Sequence, residues 1–296
     1  MLNKQRHVTG LVTVNVAVVL FGLAGVLGKL SHLPSPLITF GRVAIAGLAL
    51  ISVTALRRVA VRPRSRSDAV VLVAQGFVLA AHWTMFFQSI AVSSVAIGLL
   101  SFSSFPLFTV ALEALLLRQH ISRVQLAAAL LIIPGVSLLV PSFHLGSGTT
   151  AGVLWGVGAG ASFALLSVTN RQLTLRYPSI IISLYQDVVA ALVLAPTLVL
   201  VPHNALFTLR TLVLFLLLGL CCTALAHTLF IVGLRTTTAQ LASLLASLEP
   251  IWGIIFGMVV LGELPTVRTY VGGAIILVAT LLPAVFALVR LHSTDE

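Results

Sequence analysis

The sequence predicts an all-α integral membrane protein of ten transmembrane helices, arranged as two inverted five-helix repeats. Three observations predict it. First, 59% of the 296 residues are hydrophobic and only 8% are charged, against ~45–50% apolar and ~25% charged in a water-facing domain. Second, a spanning helix takes ~20 apolar residues, so ten of them would use about 200 and leave only short connections. Third, residue pairs recur at a fixed offset across an odd number of spans, and the charge of the flanking loops changes with them. The longest hydrophilic stretch, Arg57 to Asp68, leaves no room for an attached nucleotide-hydrolysing or catalytic domain.

The first apolar run, residues 9–30, follows Lys4 and Arg6 as a signal peptide would. It is too long for an ordinary signal core and lacks a small-x-small exit, so it reads as an uncleaved span. The second, 35–56, stops at Arg57. The third and fourth, 69–90 and 93–117, are separated by a very short link near Ala91 to Ser94, and the fourth contains Pro106. The fifth to tenth fall at 124–141, 151–169, 180–201, 211–233, 239–261 and 269–290, each bounded by charge, Pro or Gly. Leu234 to Thr238 is the other very short link.

The formal charge is +10, from 17 Lys and Arg against seven Asp and Glu. Arg57, Arg58, Arg62, Arg64 and Arg66 share one connection, as Lys and Arg do on the cytoplasmic side of a membrane. No basic surface with interleaved aromatics lies outside the apolar runs, so nucleic acid is not expected as a partner. With the amino terminus inside, Lys4, Arg6, those five Arg, Arg118, Arg123, Arg171, Arg176, Arg235 and Arg290 all face the cytoplasm, 13 of the 17 basic residues. Both termini are then cytoplasmic, in a cell inner membrane. Cys221 and Cys222 are adjacent in an apolar run and read as packed thiols, not a strained bridge.

Ala81-His82 recurs as Ala226-His227 at an offset of 145, and Phe40-Gly41-Arg42-Val43 aligns with Tyr185-Gln186-Asp187-Val188 at the same offset. Pro106 recurs as Pro250, and Leu117 as Leu261, at 144. Two halves follow, residues 1–141 and 142–296. Five spans is an odd number, so the second half enters the membrane from the other side. The five-Arg loop has its counterpart in Val201 to Arg210, which carries a single Arg, as an external loop should.

These features resemble the drug/metabolite transporter superfamily, specifically its EamA-type ten-helix members. The resemblance covers nearly the whole chain. It rests on Phe40-Gly41-Arg42, on Pro106 after a Ser-rich run, and on Ala239 to Gly273, where Ser247-Leu248-Glu249-Pro250 leads into Leu261-Gly262-Glu263 and Gly272-Gly273. In the first half Arg118-Gln119 replaces the Gly-Glu turn. The resemblance implies a basket of spans 1, 3, 4, 6, 8 and 9 around a central cavity, with spans 2 and 7 outside it. It also implies secondary transport, with export of small amphipathic metabolites such as amino acids or drug-like compounds expected and import or exchange as the alternative. Expected partners are a small-molecule substrate and the bilayer, with a homodimer left open.

Polar groups at membrane depth are costly, about 2.5–3.5 kcal/mol for a charge on insertion scales, so each needs a reason. His82, Glu113, Asp187, His227, Glu249 and Arg42 are the candidates for proton coupling or helix charge pairing. Arg42 and Asp187 occupy corresponding positions with opposite charge, and a fixed ion pair or separate pairs with other helices are expected of them. His82 and His227 form a symmetry-related pair, expected either to bind polar substrate groups, with one of them free to carry a proton, or to pack as neutral rings. Trp83, Phe86, Trp155 and Trp252 are candidate rings for an apolar or planar substrate, and Gln88 and Asn170 are candidate hydrogen-bond partners for its polar end.

Gly152, Gly156 and Gly160 share one helical face, as do Gly253 and Gly257, and predict close helix contact. Gly22 to Lys29 superficially matches a phosphate-binding loop. Its spacing is wrong and Leu30 stands where Ser or Thr is required, so neither ATP nor another cofactor is expected. A different class, an intramembrane serine protease using Ser162 and His227, is weighed below transport because Phe163 stands where that motif continues with Gly.

Overall fold

In the computed structural model the described residues are 2–118, 120–140, 144, 146–200, 208–235, 245–246 and 248–293, and short links apart they are helical. The α-helices are α1 (Leu2–Ser31), α2 (Ser35–Leu56), α3 (Arg66–Val92), α4 (Val95–Phe102), α5 (Phe105–Leu117) and α6 (Arg123–Leu138). They continue as α7 (Gly148–Leu173), α8 (Ser179–Leu194), α9 (Leu209–Leu216), α10 (Ala226–Gly233), α11 (Glu249–Phe256) and α12 (Val267–Ser293). Among the described residues seven helical stretches are long and apolar enough to cross a membrane, and three shorter apolar ones, Arg123–Leu138, Glu249–Leu261 and Val267–Leu282, accompany them. The start of the expected ninth span, Gln119, Ser247, most of the Val201 to Arg210 loop, and the side chains of Lys4, Arg6 and Arg290 lie outside the described residues.

Local chemistry sets the boundaries. Pro34 precedes α2, and Pro36 sits in its first turn, where a missing N–H costs nothing. The Ser65 hydroxyl accepts from the Asp68 N–H at 3.0 Å and starts α3 three residues before the apolar run. A full capping box on Ser122 and Gln125 starts α6.

The expected fourth span is two helices, broken at Ser103 and Ser104, with Pro106 in the first turn of α5. Proline supplies no N–H to the preceding turn, so the break falls before it. Pro250 stands in the same place in the first turn of α11. The expected eighth span is also irregular: a π-helical stretch, Leu217–Leu225, joins α9 to α10. Such wide turns leave backbone carbonyls without their usual partner and recur at functional sites.

The two halves interleave. α3 packs on α7 and α8, α2 on α8 and the π-helical stretch, α1 on α10 and α11, α4 and α5 on α7, and α6 on α12. Inward stripes follow the helical period: Val14, Ala17, Val18, Phe21 and Ala24 of α1 are all buried. Close backbone approach replaces side-chain bulk at two contacts. A Cβ on Gly22 would stand 2.8 Å from the Gly253 nitrogen, and one on Gly160 would stand 2.7 Å from the Phe102 carbonyl oxygen. Leu48, Leu115, Leu192 and Val259 are exposed, an apolar outer surface suited to lipid.

Polar clasps close the two ends. At one, the Asp68 carboxylate accepts from the Tyr177 hydroxyl at 2.7 Å and pairs with Arg176 at 3.0 Å. The Arg64 N–H donates to Tyr177 at 2.7 Å, the Tyr185 hydroxyl to the Val61 carbonyl at 2.9 Å, and Arg235 to the Tyr177 carbonyl at 3.2 Å. Burial pushes the Tyr177 phenol above its ordinary value, so it remains a donor to Asp68. At the other end Lys29 pairs with Glu263 at 2.5 Å and donates to the Ser93 carbonyl at 3.1 Å. The second Glu263 oxygen accepts from the Val95 N–H at 2.9 Å, and Arg210 donates to the Leu30 carbonyl at 2.6 Å.

Candidate functional site

Between the clasps lies a narrow cavity lined by Phe21 of α1, His82 and Trp83 of α3, Phe163, Ser167 and Asn170 of α7, and His227 and Phe230 of α10, with Leu79 and Leu166. Its void of about 10 Å3 for a water centre holds roughly one water molecule. The rings form one continuous cluster: His82 lies 4.8 Å from Trp83 and 5.4 Å from Phe163, and Phe163 lies 5.5 Å from Phe230. Four of the expected substrate contacts, His82, Trp83, Asn170 and His227, therefore meet at one place.

Phe86 is buried just behind them, 5.5 Å from Trp83 and 6.4 Å from His82, as a packing partner. Asn170 accepts from the Gln186 amide at 2.6 Å. His82 Nδ1 lies 3.0 Å from the Ala159 carbonyl, which gives that nitrogen a proton to donate.

Three expected contacts lie elsewhere. Trp155 is 43% exposed, because the Gly152, Gly156 and Gly160 stripe of α7 takes the face toward α4 and leaves Leu154 and Trp155 outside. Trp252 is 39% exposed and stacks on Phe256, since its neighbour Gly253 occupies the contact with Gly22 and Leu99. Gln88 accepts from the Ser35 hydroxyl at 2.9 Å and ties the start of α2 to the end of α3. Glu113 is buried on the α5 stripe that also holds Phe105 and Thr109, away from the cavity lining.

Arg42 departs from the expected ion pair. It is fully buried, donates through Nε to Thr223 at 2.7 Å and through Nη2 to the Cys222 carbonyl at 2.8 Å, and lies 3.5 Å over the Trp83 ring. The π-helical stretch presents that carbonyl, and the Thr223 hydroxyl in turn donates to Leu218 five residues back. No ion pair within 4.0 Å joins Arg42 to Asp187 among the described residues. Asp187, on α8 where it packs against α2, and Glu249 of α11 are both buried. Span 2 thus stands against Trp83, a residue of the cavity lining, through one long side chain.

Three lining residues carry a buried polar atom with no hydrogen-bond partner among the described residues, Trp83 Nε1, Ser167 Oγ and His227 Nδ1, and so do Arg42 Nη1, one oxygen of Glu249, both oxygens of Asp187 and the oxygen of Gln186 outside the lining. Such groups are rare because each forfeits its hydration. The sequence reading passed over Phe21, Ser167 and Thr223. Ser167 and Asn170, three residues apart on α7, were the available signal, since they put two polar groups on one helical face.

Ser162 donates to the Gly158 and Ala159 carbonyls at 3.0 and 2.8 Å and lies 3.4 Å from His82 Nδ1. Its neighbour is His82, not His227, and its proton is held by its own helix. Cys221 and Cys222 are free thiols.

Comparison with known proteins agrees with this architecture. The chain matches the EamA-like transporter family over residues 8–140 and again over 150–284. It is 27% identical over 205 residues to the uncharacterized transporter YwfM of Bacillus subtilis (strain 168), covering 69% of each chain. It is 28% identical over 200 residues to an uncharacterized transporter of Archaeoglobus fulgidus, covering 67% of this chain and 69% of that one. A crystal structure superposes with a TM-score of 0.69 at 18% identity, covering 97% of this chain and 99% of its own, a likeness of fold.

Proposed function

The chain belongs to the EamA-like transporter family, and from that membership we propose that it is a secondary transporter exporting small amphipathic metabolites by alternating access. The observation that carries the reading is the cavity itself. Aromatic rings meet Trp83, Ser167 and His227, each with a buried polar atom lacking a partner among the described residues, in one buried place between polar clasps at either end. Lipid has no use for such groups, whereas a bound solute supplies their missing partners.

The helix pairings support ten spans in two inverted halves, 1–141 and 142–296. Exchanging each span for its counterpart five places on turns the contact of span 1 with span 8 into that of span 6 with span 3. The contacts of span 1 with 9, and of span 2 with 8, become those of 6 with 4 and of 7 with 3. The pairs 2 with 7 and 5 with 10 map onto themselves. We assign both termini to the cytoplasm of an inner membrane, and transport to rocking of one half against the other. His82 and His227 bind polar substrate groups, and Glu249 or Asp187 carries the coupling proton.

The test is counterflow in proteoliposomes, using compounds selected by their stabilisation of the purified protein, since a ligand that binds only the folded state raises its stability. Accelerated exchange of a selected compound supports a carrier. Binding without exchange rejects transport.

A further inference from the structure

We propose that Arg42 anchors an anionic group of the solute, a carboxylate, and that Asp187 and Glu249 are its resident counter-charges, so that the anion enters together with one proton. The proposal rests on the transport reading and names the class of solute; Arg42 stands against Trp83, a residue of the cavity lining.

Arg42 offers three kinds of donor and spends two. Nε and Nη2 are held by Thr223 and the Cys222 carbonyl, while Nη1 is buried without a partner. The hydrogen bonds and the 3.5 Å stack on Trp83 hold the guanidinium rigidly, so the free nitrogen is aimed without loss of side-chain freedom. Trp83 Nε1 is a second buried donor without a partner on the ring that Arg42 covers. Two donors and an apolar wall suit a carboxylate joined to an aromatic or aliphatic body.

Charge balance then requires a proton. Arginine keeps its charge at any ordinary pH, and an uncompensated charge away from water costs several kcal/mol. The titratable groups on the elements around Arg42 are Cys222 of the π-helical stretch, whose carbonyl it meets, His82 of α3, beside the Trp83 ring it covers, and Asp187 of α8, which packs on α2, with His227 of α10 and Glu249 of α11 also buried. With thiol and imidazoles neutral, the empty site is neutral when one of the two carboxyl groups is ionised and the other protonated. A solute carboxylate on Arg42 adds one negative charge. Neutrality returns when the ionised carboxylate takes one proton from the water of the open side, and release of the anion returns that proton. No electron moves and no other bond changes.

The probes are phenylacetate, phenylacetamide and phenethylamine, which share a ring and differ in charge, measured on the detergent-purified full chain by calorimetry. Phenylacetate is expected to bind at least tenfold more tightly than the other two. About one proton is taken up per molecule, read from the buffer dependence of the heat, and affinity falls roughly tenfold per pH unit above neutrality. R42Q should lose the preference for the acid. E249Q and D187N should each keep the proton uptake, because the remaining carboxyl group balances Arg42, and the double variant should lose it.

If a variant fails to fold, the wild-type measurements decide alone. Equal binding of all three probes, binding of none, or binding of phenylacetate without a proton overturns the proposal. Preferential binding of the amide or amine overturns the anion site and leaves the transport reading standing, whereas absent counterflow of a bound compound removes that reading itself.

Discussion

Trp83 and Trp155 separate packing from recognition at the scale of single residues. Trp83 is 4% exposed, carries Arg42 on its face and sits among Phe21, Phe86 and Phe87, whereas Trp155 faces outward. Trp83→Ala should therefore cost ~3–5 kcal/mol of stability and abolish solute binding in the fraction that folds. Trp155→Ala should change either by less than about 1 kcal/mol. Thermal unfolding followed by ligand titration of the folded material checks both, and equal effects would remove the distinction. The two imidazoles allow a second prediction. Gln keeps hydrogen bonding without a titrating proton, and Leu keeps bulk without either, so His82→Gln and His227→Gln should retain solute binding that the Leu variants lose. Folded Leu variants with normal transport and pH dependence would make both rings packing groups.

The Lys29, Glu263, Ser93 and Val95 cluster belongs to the scale of elements, because it joins the end of α1, the α3–α4 link and the segment after Leu261. Lys29→Met or Glu263→Gln should each lower stability by roughly 1–3 kcal/mol, the cost of removing one partner of a charged hydrogen bond. Reversal of the pair, K29E with E263K, should fail to restore it. The Val95 N–H requires an acceptor and the Ser93 carbonyl a donor, and neither backbone group reverses with the charges. Recovery in the double variant, seen by thermal unfolding, would show that the ion pair alone matters.

Elements were also what the sequence disclosed best. The observed α2 has the bounds expected from its apolar run, whereas Pro106 and Pro250, expected at matching places inside continuous spans, each stand in the first turn of a helix instead. The π-helical stretch 217–225 gave no sign, since it contains neither Pro nor a charge and differs from an α-helix only in which carbonyl each N–H meets. That irregularity is why Arg42 reaches Cys222 and Thr223 across helices, a contact 180 residues distant that no local spacing encodes. Trp155 was misplaced for a related reason. Residence in the right helix does not determine depth or face, and the glycine stripe beside it had already committed the inward side.

Across the whole molecule the distribution of charge ties fold to orientation. Arg64, Arg176 and Arg235 meet around Tyr177 at one end, beside the exposed Arg57, Arg58, Arg62 and Arg66. The opposite end holds Lys29, Arg210 and Arg268, of which Lys29 is neutralised by Glu263 and Arg210 is engaged with the Leu30 carbonyl. A 27-residue helix, α3, separates the two ends by about 40 Å at 1.5 Å per residue, enough to cross the bilayer core. Lys and Arg excess marks the cytoplasmic side, so Ser67, at the end rich in arginine, should face the cytoplasm and Thr208 the outside. After replacement of Cys221 and Cys222, S67C and T208C can each be treated with a membrane-impermeant thiol reagent in intact cells and in inverted vesicles. S67C should react only in inverted vesicles and T208C only in intact cells. Reaction of both from one side would contradict the inverted arrangement, because these positions flank equivalent spans, the third and the eighth, of the two halves. Replacing Arg57, Arg58, Arg62 and Arg66 together with Gln should weaken the orientation and produce a mixed labelling pattern, while leaving the Asp68–Tyr177–Arg176 clasp to hold the fold in whichever direction it inserts.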